Sequence, residues 1–287
     1  MTAGGLEDVR VVELTRDLAA AFCAREFAIW GAAVRRVRVQ GQPPSHWRPA
    51  VQTERGEVSL LWEFLDAAKQ PVETPDGALP GLLRELLPAA DVFVTDWSPA
   101  DLEQAGFDPG QVAAAYPRLV LVHVRPFGLE GPCTALEEVD LLVQALSGFM
   151  SVNGEAAGPP LRGPANVLAY GVGVDAFLGG LAALWERQSS GAGQAVEISG
   201  IEASASFVRF LRTEYIGWPE PRHGGAGPPA FRCADGFVTA NVASPDLWEK
   251  VLAALDGDPD AARDRVLGPG GVPDPARIAE VMREHLL

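Results

Sequence analysis

Positive charge is what this sequence most lacks. Its 287 residues carry 38 Asp and Glu against 23 Lys and Arg, a formal net charge of −15. A chain this acidic is poorly suited to general binding of nucleic acid or an anionic membrane, because both need a basic surface. Local basic pockets are not excluded. Cysteine is also scarce. Cys23, Cys133 and Cys233 are scattered and odd in number, with no C-x-x-C and no Cys/His spacing suited to zinc. No metal site is expected, and reduced thiols in a cytoplasmic protein account for the three cysteines. The opening MTAGGLEDVR has no basic segment followed by an apolar run, so it does not read as a signal peptide. Also missing are G-x-G-x-x-G after a strand, G-x-x-x-x-G-K-[ST], H-E-x-x-H and G-x-S-x-G. Their absence removes the commonest fingerprints of dinucleotide binding, P-loops, zinc peptidases and nucleophile-elbow hydrolases.

What is present is a soluble-protein composition, 47% hydrophobic and 21% charged, long enough for one large or two medium domains. Val9–Leu14 reads as a buried strand, 18–30 as a helix, and Val34–Val39, which alternates apolar and basic residues, as a second strand. Strand, helix, strand is the opening of a parallel α/β sheet. Further strands are expected at Ala90–Val94, Leu119–Val124 and Ala195–Ser199. Helices are expected at Leu79–Leu87, 99–105, 109–115, 139–148, Ile201–Tyr215, 246–255 and 275–286. Seven Pro or Gly among the eleven residues 219–229 mark a linker. It divides a large domain, 1–218, from a small α/β domain, 230–287, whose Asp235-Gly236 pair predicts a tight turn between two short strands.

The stretch from Pro159 to Ser199 organises the rest. A Pro-Pro loop leads into an apolar segment whose Ala169, Gly171, Gly173, Ala176, Gly179, Gly180, Ala182 and Ala183 are all small. Each glycine costs a helix up to ~1 kcal/mol, so their number predicts a helix pressed closely against another backbone. The longest apolar run, Val167–Trp185, contains Asp175 and is rich in glycine, which fits a buried helix rather than a membrane span.

In order along the chain come LEDVRVVELTR, FAIWGAAVRRV, ADVFVTDWSP, YPRLVLVHVRPFGLEGP, VDLLVQALSGFMSVNGE, GPPLR, LAALWERQSSGAGQAVEIS and CADGFVTANV. Together they resemble the class III CoA-transferase (CaiB/BaiF) family, which includes formyl-CoA transferases and, as relatives, α-methylacyl-CoA racemases. The resemblance implies a Rossmann-like large domain with a parallel sheet plus a smaller α/β domain, in two interlocked chains. The expected state is a homodimer, or a heterodimer with a full-length paralogue. It implies an acyl-CoA and a carboxylic acid as substrates, and no covalently held cofactor. It also implies a further C-terminal segment, which has no counterpart after Leu287.

The resemblance assigns CoA contacts to Arg16 after the first strand, Arg36 and Arg38 in the second, Lys69, and Asp96-Trp97. Arginine and lysine suit phosphate. Trp97 suits adenine stacking, although an aromatic at a strand end is more often core. Asp66 and Asp96 stand where the family has asparagine, and a carboxylate offers phosphate no donor. The family's nucleophilic aspartate falls on Ala169, and a methyl group cannot attack a thioester. The remaining candidates for a catalytic carboxylate are Asp140 and Asp175. Asp175 lies six residues along the helix and points about 120° from Ala169. The racemase histidine falls on Val139, while His123 reads as a packed strand residue. The expected function is CoA transfer between carboxylic acids, acting with a partner subunit. The alternatives are a non-catalytic binding or scaffold subunit and a racemase-like isomerase.

Overall fold

The computed structural model describes residues 4–42, 48–54, 56–107, 109–134, 136, 140–154, 158–208 and 230–239, then 247, 250, 251, 265, 266 and 275–286. The chain forms two compact units, residues 1–150 with 162–219 and residues 151–161 with 220–287.

The first unit is built on a six-stranded sheet in the order β5-β2-β1-β6-β7-β8. Its strands are β1 (Arg10–Leu14), β2 (Ala33–Val39), β5 (Gln70–Thr74), β6 (Val92–Thr95), β7 (Val120–Arg125) and β8 (Ala195–Ser199). Every pairing is parallel. Val11, Val34, Val92, Val94, Val120, Val122 and Val124 face a core shared with α1 (Leu18–Ile29) and α7 (Val167–Ser190). Val12, Leu14, Val37, Val39 and Phe93 face the other core. That core is filled from α3 (Leu79–Leu86), α4 (Pro99–Gln104) and α5 (Pro109–Ala115). Burial on both faces explains why the central strands read as near-continuous apolar runs.

The small residues of α7 do what their number predicts. A Cβ added to Gly173 would lie 2.6 Å from the Ala19 carbonyl oxygen, and one on Gly180 would lie 3.0 Å from the Phe27 ring. At Gly173 only glycine lets α7 reach α1 this closely, and at Gly180 a larger residue would make the Phe27 ring shift. The helix is long and apolar enough to cross a membrane by composition. Yet Leu168, Val172, Ala176, Phe177, Ala183 and Leu184 are buried against α1 and the sheet.

Sequence reading missed three strands and a helix. Edge strand β5 pairs with β2, and its Pro71 stands opposite Arg36. Proline breaks a strand pattern in sequence but is tolerated at a sheet edge, where one side of the ladder is unused. The hairpin of β3 (Ala50–Thr53) and β4 (Gly56–Ser59) leads into α2 (Leu60–Asp66), capped by Ser59, whose hydroxyl accepts the Trp62 N–H at 3.2 Å. α6 (Asp140–Leu146) falls within the expected helix 139–148, and α8 (Gly200–Phe207) starts one residue before the expected Ile201.

In the second unit, β9 (Ala230–Cys233) and β10 (Gly236–Thr239) form the hairpin predicted around Asp235-Gly236. α9 (Pro275–Leu286) packs on β9 and buries Ile278, Val281 and Met282. The linker 219–229, the end of the Ile201–Tyr215 helix and most of helix 246–255 lie outside the described residues.

Candidate active site

β1 and β6 are neighbours, but the chain leaves them in opposite directions, toward β2 and β5 on one side and β7 and β8 on the other. Their following loops therefore part at the carboxyl ends, the place where open parallel sheets form ligand crevices. Thr15-Arg16-Asp17 follows β1 and Asp96-Trp97-Ser98 follows β6.

Asp96 ties these loops together. Its carboxylate is buried and accepts the backbone N–H of Arg16 at 2.8 and 3.0 Å and that of Asp17 at 2.6 Å. Asp17 in turn caps α1 by accepting the Leu18 N–H at 2.6 Å. Burial, with the Asp17 charge nearby, pushes the Asp96 carboxyl up to about 7 against the pull of these N–H donors. Arg125, at the end of β7, donates to the Asp96 carbonyl at 2.8 Å. His123 lies 2.6 Å from the Trp97 carbonyl through Nε2. A carbonyl only accepts, so Nε2 carries the proton. Burial holds the ring below its usual range and keeps it neutral.

A cavity of about 500 Å³ opens beside these loops, lined by Arg16, Arg36, Arg38, Trp62, Asp66 and Trp97 among others. That volume suits a small-molecule ligand. The Arg16 guanidinium carbon lies 3.8 Å from the centre of the Trp97 ring, and that of Arg36 lies 4.1 Å from the centre of the Trp62 ring. Trp97 is buried, and its indole N–H has no hydrogen-bond partner among the described residues. Asp66, the last residue of α2, receives Arg36 on Oδ1 and Arg38 on Oδ2, the latter at 2.7 Å. Lys69 lines an adjoining hollow of about 190 Å³ with Arg36, Arg38 and Asp66. Its ammonium turns inward to Glu13 at 2.8 Å and to the Ala21 carbonyl at 2.9 Å, with Asp66 at 3.7 Å. Burial lowers the Lys69 pKa, and the charge of Glu13 works against that shift.

A second hollow, about 40 Å³, lies toward the start of α7. Its lining includes Asp17, Asp96, Arg125, Asp140, Ala169 and Val172. It is large enough for a water molecule.

The model of CoA-transferase family III matches residues 6–283. The chain belongs to that family. It is 30% identical over 289 residues to a formyl-CoA:oxalate CoA-transferase of Streptomyces coelicolor, covering 92% of this chain and 70% of the relative. It is 32% identical over 261 residues to the succinyl-CoA:(R)-benzylsuccinate CoA-transferase subunit BbsE of Thauera aromatica, covering 87% and 63%. The chain thus spans about two thirds of the length of these relatives. Its fold matches the crystal structure of a CaiB/BaiF family protein from Brucella suis with a TM-score of 0.80 at 20% identity, covering 99% of this chain and 79% of that one.

Within this family III fold, the residues singled out in sequence fall into three groups. Arg16, Arg36, Arg38 and Trp97 line the large cavity. Lys69 and Asp96 lie beneath it, each engaged with the chain itself. Ala169 and Asp140 line the small hollow together, whereas Asp175 is not part of that lining. Burial raises the Asp175 carboxyl. The Asp140 carboxylate accepts Gln144 Nε2 at 2.7 Å and pairs with Arg162 at 3.1 Å, both through Oδ2. The buried Gln144 uses its other end to accept the Gly163 N–H at 2.7 Å, tying α6 to the loop before α7. Ala165 and Asn166 in that loop hold φ of 52° and 56°, in the left-handed region that favours glycine. Val139 lies outside the described residues.

Sequence reading overlooked Glu13, Asp17, Arg125 and Gln144. Each left a signal: a carboxylate inside an apolar strand, a cap residue, a cation at a strand's carboxyl end, and an amide four residues from an acid on one helix.

Proposed function

We propose that this chain binds an acyl-CoA thioester in the large crevice and serves CoA transfer between carboxylic acids as one subunit of an assembly. Its partner, a related chain, supplies the attacking carboxylate. The observation that carries the reading is the contrast between the two cavities. The larger gathers three arginines and two tryptophans at the switch point of the sheet, a suitable lining for a phosphorylated, aromatic ligand. The smaller presents the Ala169 methyl, on the first turn of α7, where the family's chemistry calls for a nucleophile. Asp140 is the candidate replacement within the chain because it faces the same hollow.

A second reading is a non-catalytic binding or scaffold subunit. It is favoured by the engagement of Asp66 and Asp96 with the chain's own cations and N–H groups. Calorimetric titration with CoA tests the shared part of both readings. Binding that is lost in Arg38→Ala, which leaves Asp66 with one cation fewer, and kept in Arg10→Ala is expected. Absence of heat and of thermal shift at millimolar CoA would end the thioester reading.

A further inference from the structure

We propose that Asp66 is a built-in counter-anion that occupies the phosphate-binding cations of the crevice, so that the site draws little net binding from a thioester's phosphate charges. This rests on the reading of the crevice as the thioester site. Three cations from two parts of the chain converge on this one carboxylate. Arg36 and Arg38 come from β2, and Lys69 comes from the loop before β5. Arg36 and Lys69 are buried, and the Asp66 side chain is 13% exposed, so water screens this cluster poorly. Each carboxylate oxygen is used: Oδ1 by Arg36 and Lys69, Oδ2 by Arg38.

The rest of the lining carries the same sign. Glu57, Glu63 and Glu73 join Asp66 around the cavity, four carboxylates against the three guanidinium groups of Arg16, Arg36 and Arg38. Arg38, the more exposed of the β2 pair, has Glu73 at 3.5 Å as well. Lys69 already faces Glu13. A ligand phosphate arriving here replaces one anion by another at cations that are already paired and desolvated. Most of its charge then gives no net gain in binding. An uncharged pantetheine arm meets no such competition.

The test uses the intact chain and the charge-neutral, nearly isosteric variant Asp66→Asn, titrated with CoA, pantetheine and inorganic pyrophosphate. The wild type should bind CoA and pantetheine within about threefold of each other and pyrophosphate barely at all. Asp66→Asn should gain at least about tenfold for both CoA and pyrophosphate, with a steeper salt dependence, and about nothing for pantetheine. Glu186→Gln makes the same change in net charge at the opposite ends of the strands and should alter none of the three. If Asp66→Asn fails to fold, Asp66→Ser carries the same expectation. A wild type that prefers CoA over pantetheine more than about tenfold overturns the proposal. So does a neutral variant with no gain for pyrophosphate. Failure of CoA and pantetheine to bind either chain overturns the thioester reading instead, and the pyrophosphate titration then decides the role of Asp66 alone.

Discussion

Replacing Lys69 by methionine separates its two roles. The ammonium is buried under α1, its side chain 1% exposed, against a Glu13 side chain that is 0% exposed. Glu13 accepts the Thr15 hydroxyl at 2.7 Å on its other oxygen. Methionine fills the space of the lysine stem but leaves Glu13 as a buried carboxylate without its cation. Breaking one side of a buried pair costs about 3–5 kcal/mol. At about 2–4 °C per kcal/mol for a unit of this size, the Tm should fall by roughly 10 °C. Removing both charges, Glu13→Gln with Lys69→Met, should recover at least about 2 kcal/mol relative to the sum of the single changes, because the stranded charge is gone. Urea unfolding followed by far-ultraviolet circular dichroism, with all four chains compared, reads these differences. A Lys69→Met loss below about 1 kcal/mol, or strict additivity in the double variant, would refute the reasoning. Loss of CoA affinity with stability intact would instead make Lys69 a ligand-facing cation.

Two further outcomes follow from the loops around the crevice. The Asp96 carboxyl is raised from 3.8 to about 7 by burial, so between these values the folded chain holds one proton more than the unfolded chain. Its contribution is complete below about pH 4 and is lost as pH rises through about 7, by up to about 4 kcal/mol. Asp96→Asn should therefore match the wild type near pH 4 and become relatively more stable by pH 8. Parallel stability profiles would contradict the shift. Restoring a carboxylate by Ala169→Asp places it on the first turn of a long helix, where the helix dipole favours negative charge. Hydroxylamine should then trap a covalent acyl adduct absent from the wild type, and no adduct in a folded variant would mean that the thioester does not reach α7.

The central strands were legible because burial on both faces writes an unbroken apolar run, and α7 was legible because only small residues suit its approach to α1. Strand β5 was hidden by Pro71 and by its polar Gln70, Glu73 and Thr74. The lining residues Arg16, Arg36, Arg38 and Trp97 were picked out by the family resemblance. What they pair with was not. Asp66 meets Arg36 across 30 residues of chain, and Arg16 meets Asp96 across 80. Long-range pairing of this kind is set by strand order, and a single sequence does not write strand order locally. Asp96 makes the point most clearly. In sequence it is a carboxylate poorly suited to phosphate. In the fold it is the acceptor that holds the β1 loop.

Turnover by the purified, partner-free wild-type chain tests the central claim most directly. With simple acyl-CoA donors and carboxylic acid acceptors, CoA transfer is expected at the background rate, because Ala169 offers no carboxylate to the thioester. Robust transfer by the chain alone, abolished by Asp140→Asn or Asp175→Asn, would contradict the account and identify the nucleophile within this chain.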